Sequence, residues 1–148
     1  MGASETRRAA REPFIPIMRA LVRAYQAFAR YDAAGLRSKG LTVPQADVIF
    51  SLGNTEGLSF KELGDRTLIT KGTLTGVVDR LEARQLVRRQ GSPQDGRSTI
   101  VMLTSRGRRV FEEVFPEQIA YLKERFDRLE PGELRRARDL LVKMAGLF

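Results

Sequence analysis

Hydrophobic residues recur along this chain in stripes of helical period. Phe14, Met18, Leu21, Tyr25 and Phe28 step alternately by four and three, which predicts one coiled-coil-like helix ending near Gly40. Phe115, Ile119, Leu122, Phe126 and Leu129 repeat the pattern in a long helix that Thr104 can cap and that Pro116 is expected to bend. Glu130-Pro131-Gly132-Glu133 then opens a last helix with Leu134, Ala137, Leu140, Leu141 and Met144 along one side. Stripes this wide at both chain ends exceed what a small domain can cover, so the terminal helices are expected to pair between two copies of the chain. Residues 1–12 are polar and rich in Ala and Arg, and are expected to be a frayed lead-in.

Shorter elements fill the middle. Thr42-Val43-Pro44-Gln45 combines a hydroxyl cap, a Gln three residues on and a Pro in the first turn, predicting a helix through Val48, Ile49 and Leu52 to Gly53. Ser59-Phe60-Lys61-Glu62 repeats the capping logic for a helix with Phe60 and Leu63 inside, stopping between Gly64 and Thr67. After a tight turn, Leu74, Val77, Val78 and Leu81 fall at i, i+3, i+4 and i+7, with Thr73, Thr75, Gly76 and Arg80 off that stripe and Thr70 placed to cap the helix. Two short helices joined this way form a helix-turn-helix, whose second helix is the one that enters a DNA major groove. LVRRQ and STIVML are β-prone runs separated by the turn formers of GSPQDGR, so a two-stranded hairpin with a long basic tip follows.

Charge sharpens this picture. The 148 residues hold 26 Lys+Arg against 18 Asp+Glu, a net charge of +8, with a pI near 10.6. Between Arg84 and Arg109 there are seven arginines (84, 88, 89, 97, 106, 108 and 109) and the single acid Asp95, so the excess sits on the predicted hairpin and favours an anionic partner. Cysteine and histidine are absent, which excludes disulfides, thiolate chemistry and the usual parts of triad hydrolysis or transition-metal catalysis. Neither a metal nor a cofactor is expected, and no enzyme constellation appears at any readable spacing. No apolar run reaches bilayer-spanning length, and the basic N-terminus lacks the apolar segment of a secretory signal, so a cytoplasmic protein without a membrane partner is expected.

The order of helices, the VDRLE-x-x-x-LV run at 78–87, and Asp95-Gly96-Arg97 followed by a strand and Leu103-Thr104 resemble the MarR family of winged helix-turn-helix regulators from Phe14 to the C-terminus. The resemblance implies a mainly α (α+β) fold: an N-terminal dimerisation helix over 1–40, a winged helix-turn-helix over 41–104 and C-terminal dimerisation helices over 105–148. It also implies a homodimer that binds a pseudo-palindromic double-stranded DNA operator, as a repressor released by a small phenolic or aromatic-acid effector. Thr70, Lys71, Thr73 and Thr75 would then occupy the exposed front of the recognition helix, with Lys71 suited to a phosphate and the threonines to base edges or thymine methyls. Thr70 can serve equally as a plain N-cap. Arg97 would enter the minor groove and sense its width, Asp95 would hold that side chain, and Ser98 would complete the wing contacts. Gly76 stands where many members carry an arginine, which removes a long donor and costs about 1 kcal/mol relative to Ala; it either opens the helix to close backbone approach or means that less of the specificity comes from that helix. For the effector, Arg19, Arg23 and Tyr31 are candidate anchors. Two rival readings share the same sequence: a winged-helix module that docks protein, and an architectural DNA-binding protein with no effector.

Overall fold

Three helices begin at hydroxyl caps, those of Thr42, Ser59 and Thr104. The computed structural model describes residues 2–67 and 69–148, in the order α1 (Ala3–Ala9), α2 (Ile15–Arg37), α3 (Val43–Leu52), β1 (Leu58–Ser59), α4 (Phe60–Thr67), α5 (Lys71–Ala83), β2 (Val87–Gly91), β3 (Thr99–Leu103), α6 (Ser105–Phe126) and α7 (Pro131–Ala145). At α3, Gln45 N donates to Thr42 Oγ1 at 3.3 Å and Thr42 N donates back to Gln45 Oε1 at 3.1 Å. Ser59 and Glu62 make the same reciprocal pair at α4, at 3.1 and 2.7 Å. Hydrogen bonding from Ser59 holds the Glu62 carboxyl below the usual carboxylate range, its backbone N–H contributing most and its side chain next. Thr104 caps α6 by accepting from Gly107 N at 3.0 Å and donates to Gln85 O at 2.6 Å, which anchors the start of α6 to the turn after α5.

Three expectations need correction. Residues 3–9 are helical rather than frayed, as a short helix with no buried residue. The hairpin is the larger part of a three-stranded antiparallel sheet, order β1-β3-β2, because Leu58 and Ser59 pair with Val101 and Ile100. Two residues are too few to show strand alternation, and β1 forms because Gly57, at φ 120°, turns the chain against Ile100. Thr70 stands at the N-cap position of α5 without capping it, since its hydroxyl bonds Thr73 Oγ1 at 3.0 Å instead. Pro116 lies inside α6, which is continuous from Ser105 to Phe126.

A single core joins the middle elements. Leu74, Val77, Val78 and Leu81 of α5 are buried with Val48, Ile49 and Leu52 of α3, Leu63 of α4, Leu86, and Val87, Val101 and Leu103 of the sheet; Phe111 and Val114 of α6 close one side. Each such side chain contributes about 1.5–3 kcal/mol by leaving water. Two glycines permit the closest approaches. A Cβ on Gly53 would run into the Phe111 ring, and one on Gly107 would collide with the Leu86 carbonyl.

The long arms are different: Phe14, Ile17, Met18, Leu21, Val22, Tyr25 and Phe28 of the α2 arm, and Leu140, Leu141 and Val142 of α7, are all exposed in the single chain, Tyr25 to 69% and Leu140 to 61%. Among the described residues no helix is long and apolar enough to cross a membrane.

Gly107→Ala is expected to destabilise the protein by about 3 kcal/mol, because the new methyl must displace backbone, whereas Gly96→Ala, where a Cβ meets nothing within 4 Å, leaves stability within about 0.5 kcal/mol. Thermal unfolding followed by circular dichroism distinguishes the two.

Candidate nucleic-acid interface

The buried stripe of α5 fixes which residues face outward. Opposite Leu74, Val77, Val78 and Leu81 lie Gly72, Gly76, Asp79 and Ala83, flanked by Thr73 and Arg80 on one side and by Lys71 and Thr75 on the other. A Cβ at Gly72 or Gly76 would meet nothing within 4 Å, so neither glycine is there to admit a neighbour of its own fold. The middle of the exposed face is bare backbone. Thr70 gives its hydroxyl proton to Thr73 Oγ1 and Thr75 gives its own to Lys71 O at 3.3 Å, so these two threonines present lone pairs and methyl groups outward. Lys71 and Thr73 are exposed at the start of the helix.

The wing is an ordered turn. Ser92 N donates to Ser98 O at 2.8 Å and Ser98 N to Asp95 O at 3.0 Å, closing the tip. The Asp95 carboxylate accepts from Arg97 N at 3.0 Å and from Ser98 Oγ at 3.1 Å. Asp95 therefore holds the backbone of Arg97, not its guanidinium as the resemblance implied. Among the described residues no ion pair engages that guanidinium, which projects from an exposed tip. Ser98 is exposed, with its hydroxyl proton committed to Asp95.

The arginine excess divides into two groups. Arg84 donates to Gly40 O at 3.0 Å and to Gln45 Oε1 at 3.3 Å, Arg108 donates to Gly53 O at 3.2 Å, and Arg89 pairs with Asp79 and Glu82. These three fasten elements together. Arg88, Arg97, Arg106 and Arg109 stay exposed, as does Arg80 outside the run. Sequence reading could not separate the groups, because each fastening crosses a turn or links remote segments.

Candidate effector residues are dispersed. Arg19 and Arg23 border a shallow depression of about 330 Å³ with Met18, Val22 and Gln26 on α2. Tyr31 lies two turns beyond Arg23, about 12 Å along the helix. Its ring stacks on Tyr121 of α6 at 4.2 Å between centroids and its hydroxyl donates to Tyr121 O at 3.2 Å. The cation over Tyr31 is Arg125, at 4.7 Å, and Lys39 sits 5.4 Å from the Tyr121 ring. Sequence reading missed Arg125, Tyr121 and Lys39, since only the crossing of α2 and α6 brings them to Tyr31. Beside them Gln118, only 2% exposed, donates to Asp32 Oδ1 at 2.8 Å and accepts from Lys39 Nζ at 3.3 Å. Burial raises the Asp47 carboxyl above the usual range, and the nearby Asp32 charge raises it further.

Comparison with known proteins agrees with this geometry. A family model described as MarR family matches residues 39–98. The HTH-type transcriptional regulator FarR of Neisseria gonorrhoeae is 32% identical over 123 residues, 83% of this chain and 81% of that protein. Among solved structures, Bordetella bronchiseptica BpsR, whose DNA binding is regulated by 6-hydroxynicotinic acid, superposes with a TM-score of 0.73 at 30% identity, covering 88% of this chain and 98% of that one. NadR in complex with 4-hydroxyphenylacetate superposes with a TM-score of 0.68 at 28% identity, covering 87% and 92%.

Because the folded state raises the Asp47 pKa, its contribution is most favourable at low pH and is lost as pH rises through the raised value. Asp47→Asn should therefore raise Tm at about pH 8, well above the ordinary carboxylate range, and give no gain at about pH 3.5, near that range. Equal gains at both pH values would contradict the assignment.

Proposed function

The chain belongs to the MarR family of winged helix-turn-helix transcriptional regulators, and from that premise we propose a homodimeric, sequence-specific DNA-binding regulator, a cytoplasmic repressor released by a small phenolic or aromatic-acid ligand. The observation that carries the DNA reading is the outward face of α5, bare at Gly72 and Gly76 and edged by Lys71, Thr73 and Thr75, next to a wing whose Arg97 guanidinium has no ion-pair partner among the described residues. In this reading α5 enters the major groove, where threonine hydroxyls and methyls meet base edges and Lys71 meets a phosphate. Gly76 brings the helix backbone close to the duplex. Arg97 enters the adjacent minor groove on a tip held by Asp95, and Thr70 and Ser98 add contacts to the sugar-phosphate backbone.

Dimerisation is supported by the uncovered apolar surface of the arms. Phe14, Ile17, Met18 and Leu21 of the α2 arm face Leu140, Met144 and Leu147 of the α7 arm across an open apolar groove of about 750 Å³. A patch of that kind on a water-facing protein marks an interaction surface. Residues 1–40 and 105–148 would supply the dimer and residues 41–104 the winged reader, so that the separation of the two α5 helices is set by the arms. An effector lodged where α2, α3 and α6 meet, near Tyr31, Tyr121, Lys39 and Arg125, would favour a different separation and lower affinity. That BpsR and NadR are linked to hydroxylated aromatic acids supports the ligand class.

The test is the salt dependence of binding to duplex DNA. Neutralising about six phosphates gives a slope of log K against log salt near −5, whereas a module that docks protein shows no such slope with DNA. Arg97→Ala should weaken operator binding about tenfold with the dimer intact, the scale of one lost groove contact; unchanged affinity in a gel-shift titration would contradict the wing assignment. Deleting residues 1–28 should yield monomers in sedimentation velocity, and a folded monomer that still binds a full palindrome would contradict the role of the arms.

A further inference from the structure

Asp79 is the one acid on the outward face of α5, three residues beyond Gly76, and its side chain is 60% exposed; Glu82, one turn along, is 41% exposed. A surface that meets a phosphate backbone does not tolerate bare carboxylates, because each repels the duplex over a Debye length of about 8–10 Å. Both acids are covered by one side chain. Arg89, on β2, pairs through one guanidinium nitrogen with Asp79 and through another with Glu82, while its backbone N–H donates to Glu82 Oε1 at 3.2 Å. The same guanidinium lies 5.6 Å from the Phe60 ring at the start of α4. Arg89 thus touches both helices of the helix-turn-helix from the wing strand, and its side chain is only 27% exposed. Its neighbour Arg88, on the opposite side of the strand, is exposed and its guanidinium donates to Gln90 Oε1 at 3.0 Å.

We propose that Arg89 is a positioning residue for DNA binding, neutralising Asp79 and Glu82 at the recognition face and fastening the wing to α5 and α4, without itself contacting a phosphate. The inference rests on the DNA-binding reading above. Two carboxylates offset the single charge of the guanidinium, and with its side chain only 27% exposed and Phe60 beside it, Arg89 offers a phosphate no net positive charge. The acids hold the arginine in place, and the arginine removes the charge that would otherwise oppose binding.

The experiment uses the full chain and a duplex that the wild-type protein selects from a randomised pool, with affinity read by fluorescence anisotropy at several salt concentrations. Arg89→Met should weaken binding about tenfold or more by exposing two like charges to the phosphates. The triple variant Arg89→Met/Asp79→Asn/Glu82→Gln should return to within about threefold of wild type, since the partners are removed together. In the triple variant the slope of log K against log salt should be at least as steep as in wild type, because no phosphate contact has been deleted, whereas a direct contact would make it shallower by about 0.9; the single variant is shallower in either case, because salt screens the repulsion of its exposed acids. Wild-type affinity in the single variant, a triple variant as weak as the single, or a shallower slope in the triple variant would each overturn the proposal. If Arg89→Met fails to fold, Arg89→Lys, which keeps the charge but loses the fork that holds both acids, should bind with intermediate affinity, and wild-type affinity there would be equally decisive. A wild-type protein that enriches no duplex at all would instead remove the DNA-binding reading on which the inference stands.

Discussion

The packing of α5 through Leu74, Val77, Val78 and Leu81 is the constraint on which the rest of the structure depends. A 13-residue helix has one stripe to bury, and burying it against α3, α4 and the sheet determines which residues remain outside. Lys71, Thr73, Thr75 and the two open glycines become a surface by that exclusion. The same core sets the wing. Leu86 and Val87 follow the helix into the interior, Thr104 N donates to Leu86 O at 3.1 Å, and Gly107 lets α6 begin against that carbonyl. Helix, hairpin and the root of the long arm therefore share one short junction between Gln85 and Gly107. A displacement of α6 relative to the core has a direct mechanical path to the wing.

Much of this was legible because the signals are local. The reciprocal pairs Thr42–Gln45 and Ser59–Glu62 span three residues, and the stripes of α2, α5, α6 and α7 are visible within single segments. What was not legible depends on chain crossings. The strand Leu58–Ser59 exists only because Ile100 and Val101 arrive beside it. The fastening of Arg84 to Gly40, of Arg89 to Asp79 and of Arg108 to Gly53 turns three of seven arginines in a basic run into structural ties, and no pattern in the run distinguishes them. At the wing the residue types were readable while the geometry was not: Asp95 and Arg97 are coupled through a backbone amide. The effector candidates do not form one cluster: Arg19 and Arg23 sit on a different part of α2 from Tyr31, whose partners Tyr121 and Arg125 come from α6.

Charge is used sparingly at the reading surface. On the proposed reading, α5 carries no arginine before Arg80, so the arginine fork that reads guanine is missing from its first two turns and Lys71 is the one cation there. Hydroxyls, methyls and close backbone approach remain. Sequence preference of that kind is modest for one helix and becomes useful when two copies are held at a fixed spacing, which is the role the uncovered apolar arms of α2 and α7 are suited to fill.

The most direct test is selection from a randomised duplex pool with the full-length protein, followed by sequencing of the bound DNA. The account predicts enrichment of a two-fold symmetric site with half-site centres about one helical turn, or roughly 10 base pairs, apart. Enrichment of a single unsymmetrical half-site, or of no sequence above the starting pool, would contradict it.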